Sequence, residues 1–177
     1  MNKFKCCIFI GIPFVLIVGS LAHFCYEWSG RNVLVGLFTP VNESVWEHMK
    51  LLFFPMLLYS LFLIFMFGKE YPCVLSSLCF GSLAGTLLIP AFFYAYTAVL
   101  GKNFFLLDIG TFALSTLIAF LLSYRLALSC RLRSCTFLLC ILTGVLFICF
   151  LRFTYHPPSL NIFEAAPASR LYFNISI

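Results

Sequence analysis

The chain carries little charge. Only 10% of its 177 residues are Asp, Glu, Lys or Arg, whereas 63% are hydrophobic and 23 are phenylalanine. A water-soluble domain of this length cannot bury so much apolar surface in one core, but a lipid bilayer accepts it. The scarcity of charge therefore predicts a single integral membrane domain, with the lipid bilayer as its main partner.

Two common binding patterns are also missing. Basic residues do not alternate with aromatic ones, so we expect no nucleic-acid partner. The net charge of +5 comes from small flanking clusters, which are typical of residues that set membrane topology. The nine cysteines form no Cys-x-x-Cys pair. Most lie in apolar runs, where free cysteine behaves as a small hydrophobic residue, so we expect no disulfide framework.

Long apolar stretches predict an all-α fold, an integral membrane bundle of five transmembrane helices. Each stretch is long enough to cross a hydrocarbon core of about 30 Å. The predicted helices cover approximately residues 6–26, 40–67, 73–100, 104–124 and 134–151. Between the first two helices, turn residues alternate with Trp28, Val33 and Phe38, which indicates an interfacial loop. Residues 152–177 are predicted to form a polar tail.

The most polar stretch, residues 39–50, lies at the predicted start of the second helix. Thr39 followed by Pro40 is a typical helix start, with threonine as the N-cap and proline as the first helical residue. Glu43 and Glu47 are four residues apart, so on a helix they share one face. Polar density of this kind in so apolar a chain predicts either a helix end in the headgroup region or a functional site.

Five crossings place the two termini on opposite sides of the membrane. With the N-terminus in the cytoplasm, six basic residues fall inside and five outside. The densest clusters, Lys3 with Lys5 and Arg131 with Arg133, then both lie inside. The positive-inside rule therefore predicts a cytoplasmic N-terminus and an extracytoplasmic C-terminus.

The same helix count brings all three histidines, and every acidic residue except Glu70, to one leaflet. Polar groups at membrane depth usually face a protein interior or a water-filled cavity. We expect catalytic roles for Glu43, Glu47 and His48. We expect seven further residues to help form a binding site: His23, Glu27, Trp28, Asn42, Trp46, Asp108 and His156.

Imidazole and carboxylate ligands suit zinc or a similar divalent metal. The metal hypothesis assigns His23, Glu47 and His48 as ligands, although the spacing is not the His-Glu-x-x-His pattern of zinc peptidases. Two alternatives stay open. In a metal-free site, a histidine is a general base and Ser44 or water is the nucleophile. In the second alternative, the polar stretch has only a structural role. The acids are stabilised by the helix dipole at the N-terminus, Glu47 pairs with Lys50, and Trp46 anchors the helix at the membrane interface.

Three runs of residues carry a resemblance to known sequences: HFxYEWSG at residues 23–30, PVNESVWEH at residues 40–48, and Tyr155-x-Pro157-Pro158. With these runs the chain resembles a family of small bacterial multi-pass membrane proteins of unknown function. The resemblance covers the chain and is most specific in residues 23–55, whereas residues 159–177 match poorly. It implies a location in the bacterial cytoplasmic membrane, and it implies no activity.

Three functions fit these features. The first is an enzyme that acts on a lipid or lipid-linked substrate at a polar or metal site in one leaflet. The second is a small transporter or channel component, but the inner halves of the helices lack the ionisable residues of a continuous polar path. The third is a non-catalytic assembly protein. Its small-residue face, Ser77, Gly81 and Gly85, allows close helix packing and is a candidate surface for a homo-oligomer.

Overall fold

The computed structural model of the protein describes residues 3–164, so the end of the predicted polar tail lies outside the described residues. All regular elements within this range are helices. They are α1 (Lys3–Trp28), α2 (Val33–Gly36), α3 (Val45–Phe67), α4 (Val74–Leu100), α5 (Phe105–Ser129) and α6 (Thr136–Phe153), with single 3-10 turns at Arg133–Cys135 and Asn161–Phe163.

Five helical segments are long and apolar enough to cross a membrane: α1, α3, α4, α5 and Arg133–Phe153, which contains α6. The predicted all-α bundle of five transmembrane helices is therefore confirmed. The loop between the first two spans contains the short helix α2. Asn32 caps α2, because its side-chain oxygen accepts a hydrogen bond from the Leu34 N–H.

The second spanning helix, α3, begins within the polar stretch and five residues later than predicted, at Val45 rather than at Pro40. Its N-cap is Ser44, whose hydroxyl accepts a hydrogen bond from the Glu47 N–H at 3.3 Å. The Thr39 hydroxyl instead donates to the Val35 carbonyl oxygen, behind it in the chain. Thr39 and Ser44 are both residue types that cap helices. Ser44, which is followed three positions later by glutamate, is the N-cap. Glu43 and Glu47 therefore do not share a helical face.

Helix α3 lies at the centre of the bundle, where Leu52, Phe53, Met56 and Leu63 are fully buried. It packs against α1 and α4, and α4 packs against α5. Lipid tails are as apolar as these side chains, so close packing, rather than escape from water, has to hold the helices together.

The small-residue face of α4 is used inside the chain. A Cβ atom added at Gly81 would collide with Ser123 Oγ and lie 2.8 Å from the Ala119 carbonyl oxygen of α5. A Cβ atom at Gly85 would lie 2.6 Å from the Ala119 Cβ atom. The face proposed for a homo-oligomer is thus covered by α5, which leaves no room for a second copy there.

A disulfide joins Cys73, directly before α4, to Cys130, directly after α5. This corrects the expectation that the cysteines are only small hydrophobic residues. The two residues are 57 positions apart, so no local spacing motif reveals the pair. Antiparallel packing of α4 and α5 brings the start of one helix beside the end of the other, at the membrane face opposite to the end of α1.

A buried ion pair anchors the polar stretch. Lys50 Nζ lies 2.7 Å from Glu47 Oε2, and the two side chains are 0% and 2% exposed. The ammonium also donates to Thr154 Oγ1 at 2.6 Å and to the Gly36 carbonyl oxygen at 3.1 Å. Glu47 Oε2 in turn accepts a hydrogen bond from the Val41 N–H at 3.0 Å. One charge pair therefore connects α2, the segment before α3, the first turns of α3 and the residue after α6.

We expect Lys50→Met to lower the stability of the folded protein by about 3–5 kcal/mol, because it leaves the Glu47 carboxylate buried and uncompensated. The measurement is the thermal unfolding midpoint in detergent. The double variant Glu47→Gln with Lys50→Met should recover part of this loss, since no buried charge remains. An unchanged midpoint in Lys50→Met would show that the pair does not support the fold.

We expect Gly81→Ala to destabilise the bundle by about 1–3 kcal/mol, the usual cost of overpacking, because the added methyl group meets the α5 backbone. Gly144→Ala in α6 is the matched control, since a Cβ atom there has no neighbour within 4 Å. Thermal unfolding of both variants in the same detergent measures the difference. Equal midpoints for the two variants would contradict close packing of α4 on α5.

Candidate metal centre

Three chain segments bring two histidines and one carboxylate together. His23 lies in the last turns of α1, Glu43 lies just before the N-cap of α3, and His48 lies in the first turn of α3. Because Glu43 is outside the helix, its side chain reaches across to α1 instead of following the α3 surface. Glu43 thus lies in the segment held by the buried ion pair, and His48 follows it in the first turn of α3.

Glu43 Oε2 lies 3.6 Å from His23 Nε2 and 3.3 Å from His48 Nε2. One side-chain donor atom from each of the three residues fits within a mutual distance of 4.8 Å. The side chains of His23, Glu43 and His48 are 30%, 27% and 29% exposed. This degree of exposure leaves the cluster open to a small ion or ligand at one end of the bundle.

The protonation of His48 follows from its backbone contact. Its Nδ1 atom lies 2.8 Å from the Ser44 carbonyl oxygen. A carbonyl oxygen only accepts hydrogen bonds, so Nδ1 carries a proton. In the neutral ring, Nε2 then presents its lone pair to the Glu43 carboxylate. That contact is favourable only when a second proton or a metal cation lies between the two groups.

Glu43 is ionised at neutral pH. Hydrogen bonds from His23 and His48 hold the pKa of Glu43 well below its usual range and outweigh the opposing effect of burial. These bonds need a proton on each Nε2 atom, so without a metal His48 carries protons on both nitrogens. The site offers a carboxylate anion and two imidazole rings whose Nε2 protons a metal ion would replace. Nitrogen and carboxylate oxygen ligands of this kind bind zinc and similar divalent ions.

Asp108 lies at the same end of the bundle as the cluster. It lies in the first turn of α5, where one carboxylate oxygen accepts a hydrogen bond from the Tyr96 hydroxyl of α4. The Asn103 side chain is a second hydrogen-bond partner, and Asp108 interacts electrostatically with both His48 and Glu43. The packing of Gly19 of α1 on the Phe112 ring of α5 brings Asp108 to the level of His23, as expected from their placement in one leaflet.

The other predicted acids do not join the two histidines. Glu47 is paired with Lys50 in the buried network, so the carboxylate beside the histidines is that of Glu43. Glu27 is an exposed residue whose carboxylate lies 3.2 Å from Arg31 Nε. Glu47, which was predicted as a metal ligand, is thus paired with Lys50. Glu43 lies beside the two histidines in its place.

The remaining predicted residues have local packing partners. Trp28 is exposed and stacks on Phe24 with ring centroids 5.7 Å apart. Trp46 is buried against Phe150 at a centroid distance of 4.7 Å. Three further placements complete the set: Asn42 caps the Ser44 N–H, Ser44 caps α3, and His156 is exposed in the turn after α6.

Sequence reasoning overlooked Tyr96 and Asn103 as partners of Asp108. From the sequence, Tyr96 near the end of its helix indicates only an aromatic residue at the membrane interface, because nothing in its spacing relates it to Asp108. The sequence does contain a signal that Glu43, and not Glu47, lies beside the histidines. Ser44 followed by Glu47 has the spacing of a helix cap, which places Glu43 before the helix and Glu47 inside it.

Comparisons with known proteins give a family and no activity. No curated protein and no solved structure matches the chain. The family described as a family of unknown function (DUF6512) matches residues 1–171. That match covers nearly all of the 177 residues, in agreement with the expected membership of an uncharacterised family. The chain belongs to the family of unknown function DUF6512.

Proposed function

We propose that the protein binds one divalent metal ion, such as zinc, at His23, Glu43 and His48. The metal serves an enzymatic reaction on a lipid or lipid-linked substrate at one leaflet. The observation that carries the proposal is the orientation of His48. Its Nδ1 atom is engaged by the Ser44 carbonyl oxygen at 2.8 Å, and its Nε2 atom faces Glu43 Oε2 at 3.3 Å.

Charge at the site supports a cation. With neutral histidines, the negative charge of Glu43 would have no proton on Nε2 of His48 to balance it. Within residues 3–164, every ion pair of a lysine or arginine is made with another acid: Arg31 with Glu27 and Lys50 with Glu47. A divalent ion in the place of the Nε2 protons would compensate the Glu43 charge, and it would replace the unfavourable contact between a lone pair and a carboxylate by metal bonds to both groups.

The ligand set fits a catalytic zinc site better than a structural one. Structural zinc is bound by four protein ligands, whereas catalytic zinc commonly has three and leaves a position open for water or substrate. Two imidazole nitrogens and one carboxylate oxygen are one of the recurring catalytic sets. His23, Glu43 and His48 supply these ligands, and their partial exposure leaves the fourth position accessible.

A membrane-borne substrate fits the surroundings of the site. The cluster lies where α1 ends and α3 begins, at the ends of membrane-spanning helices. The exposed rings of Phe24 and Trp28 stack beside His23. Aromatic rings of this kind prefer the headgroup level of a bilayer. A lipid headgroup region would therefore lie at the height of the site.

Metal analysis tests the centre. We expect about one zinc per chain in the purified wild-type protein reconstituted with zinc, and a loss of most of it in His48→Ala and Glu43→Gln. His156→Ala is the matched control, because this histidine is exposed after α6 and outside the cluster. Elemental analysis by mass spectrometry gives the stoichiometry. Equal, negligible zinc in all four proteins would contradict the metal centre.

We also propose that the site faces the extracytoplasmic side of a bacterial cytoplasmic membrane. The opposite face carries Lys3, Lys5, Lys69, Arg125, Arg131 and Arg133. On the site face, Lys50 is buried in an ion pair, which leaves four basic residues there: Arg31, Lys102, Arg152 and Arg170. Six against four favours a cytoplasmic location for the basic face.

This orientation makes a prediction for Cys73 and Cys130, which lie on the basic face. The cytoplasm keeps thiols reduced, so we expect both residues to be free thiols in growing cells and to form the disulfide after isolation. The measurement is alkylation in acid-quenched cells, using a variant that retains only these two cysteines. Modification of both thiols without added reductant supports the orientation. A bond that resists alkylation until it is reduced would place this face in an oxidising compartment and reverse the topology.

A further inference from the structure

We propose that Asp108 is the proton acceptor for a water molecule at the open metal position, and that the site hydrolyses a carboxylic ester or amide of a membrane lipid. This inference rests on the proposed metal centre at His23, Glu43 and His48. It adds a residue from a different helix, the class of bond that is broken, and the group that moves the proton.

The position of Asp108 separates it from the three ligands. It interacts electrostatically with His48 and Glu43, but its carboxylate is not among the donor atoms that lie within 4.8 Å of one another. A Cβ atom added at Gly19 of α1 would lie 2.7 Å from the Phe112 ring of α5. Asp108, one turn before Phe112, therefore lies at the level of His23, one turn after Gly19. General bases act at hydrogen-bond distance from the proton that they accept, directly or through one water.

Two neighbours hold Asp108 in this position. The Tyr96 hydroxyl donates to one carboxylate oxygen, and the Asn103 side chain is a second partner. The Tyr96 bond occupies Oδ1 and leaves the other oxygen, Oδ2, with capacity to accept a hydrogen bond from water. Tyr96 lies near the end of α4 and Asp108 near the start of α5, so the helix turn between them fixes the acid. Tyr96 is therefore a positioning residue.

The charge of the site favours cleavage of an acyl bond over a phosphate bond. A divalent ion would balance Glu43 and Asp108, giving a centre without net positive charge. Enzymes that transfer phosphoryl groups usually add arginine, lysine or a second metal to hold the phosphate charge. The lysine and arginine ion pairs within residues 3–164 involve neither Glu43 nor Asp108. An uncharged acyl group, which needs only polarisation of its carbonyl by one metal, fits this environment.

The reaction balances with water as the only co-reactant. Asp108 takes one proton from the bound water, and the resulting hydroxide forms a bond to the acyl carbon while the carbonyl oxygen becomes an oxyanion. When the carbonyl re-forms, the bond from carbon to the leaving oxygen or nitrogen breaks. Asp108 then delivers its proton to the leaving atom, which gives one carboxylic acid and one alcohol or amine.

The apolar surface beside His23 fits an acyl chain. Phe24 and Trp28 are 53% and 69% exposed and stack on one another, and the Phe24 ring lies 5.3 Å from the His23 ring. From His23 toward the middle of α1, Leu21 and Ile17 are 50% and 61% exposed and continue this apolar surface into the bilayer. A lipid whose acyl group lies at the metal can therefore keep its hydrocarbon chain in the bilayer along this surface.

The experiment uses the full chain in lipid nanodiscs, loaded with zinc. The probes are a fluorogenic carboxylic-ester lipid, its amide analogue and a fluorogenic phosphate monoester. The variants are Asp108→Asn, Tyr96→Phe and the control Glu70→Gln, whose residue lies at the opposite membrane face. Zinc content is measured on every sample, so that a lost metal is distinguished from a lost base.

We expect hydrolysis of the ester or the amide, and not of the phosphate, by the wild-type protein and by Glu70→Gln. Asp108→Asn should retain its zinc and lose at least about 100-fold in rate, the usual contribution of a general base. Tyr96→Phe should lose about 10-fold, also with zinc retained.

Three results would overturn this inference. One is zinc bound by the wild-type protein without hydrolysis of the ester or amide. Another is cleavage of the phosphate probe alone. The third is full activity in Asp108→Asn. An absence of zinc from the wild-type protein is a different failure, because it removes the metal centre itself and the hydrolytic role of Asp108 with it.

Discussion

The contact between the Lys50 ammonium and the Glu47 carboxylate determines where the polar stretch lies. Both charges are withdrawn from water, so each needs its partner and further hydrogen bonds to remain ionised. Those bonds come from the segments on either side: the Gly36 carbonyl oxygen, the Val41 N–H and the Thr154 hydroxyl. The segment between α2 and α3, whose Phe38 also packs on Phe54, is thereby held against α3. Glu43 lies within it, and its distance from the two histidines depends on that anchor.

Glu43 and Glu47, four residues apart, thus have different roles. Glu47 is fully buried and satisfied by a cation of the chain, whereas Glu43 is partly exposed and faces two imidazoles. This division favours a site at one end of the bundle over a transport path through it. Between the two ends, the helices carry no Asp, Glu, Lys, Arg or His, and ions that cross a membrane usually follow such residues. A polar centre confined to one leaflet is better suited to a reaction on a membrane-borne molecule.

Composition and hydrophobic run length predicted the fold, because bilayer thickness leaves few alternatives to five spanning helices. The same count predicted that His23, His48 and Asp108 share one end of the bundle. Distances within that end depended on details that sequence alone left undecided. Thr39 and Ser44 are both good helix caps, and the choice between them decides which acid leaves the helix. The disulfide of Cys73 and the hydrogen bond of Tyr96 to Asp108 join residues on neighbouring helices, so their origin is tertiary packing and not local spacing.

X-ray absorption at the zinc edge, recorded on zinc-loaded protein in lipid nanodiscs, examines the His23, Glu43 and His48 centre most directly. The expected spectrum shows a four-coordinate ion with nitrogen and oxygen neighbours at about 2.0–2.2 Å, including the outer-shell scattering of two imidazole rings. Loss of one imidazole in His48→Ala would assign the ligand. A spectrum dominated by sulfur at about 2.3 Å would place the metal at cysteines instead, and a spectrum of hydrated zinc alone would show that the cluster is held by protons.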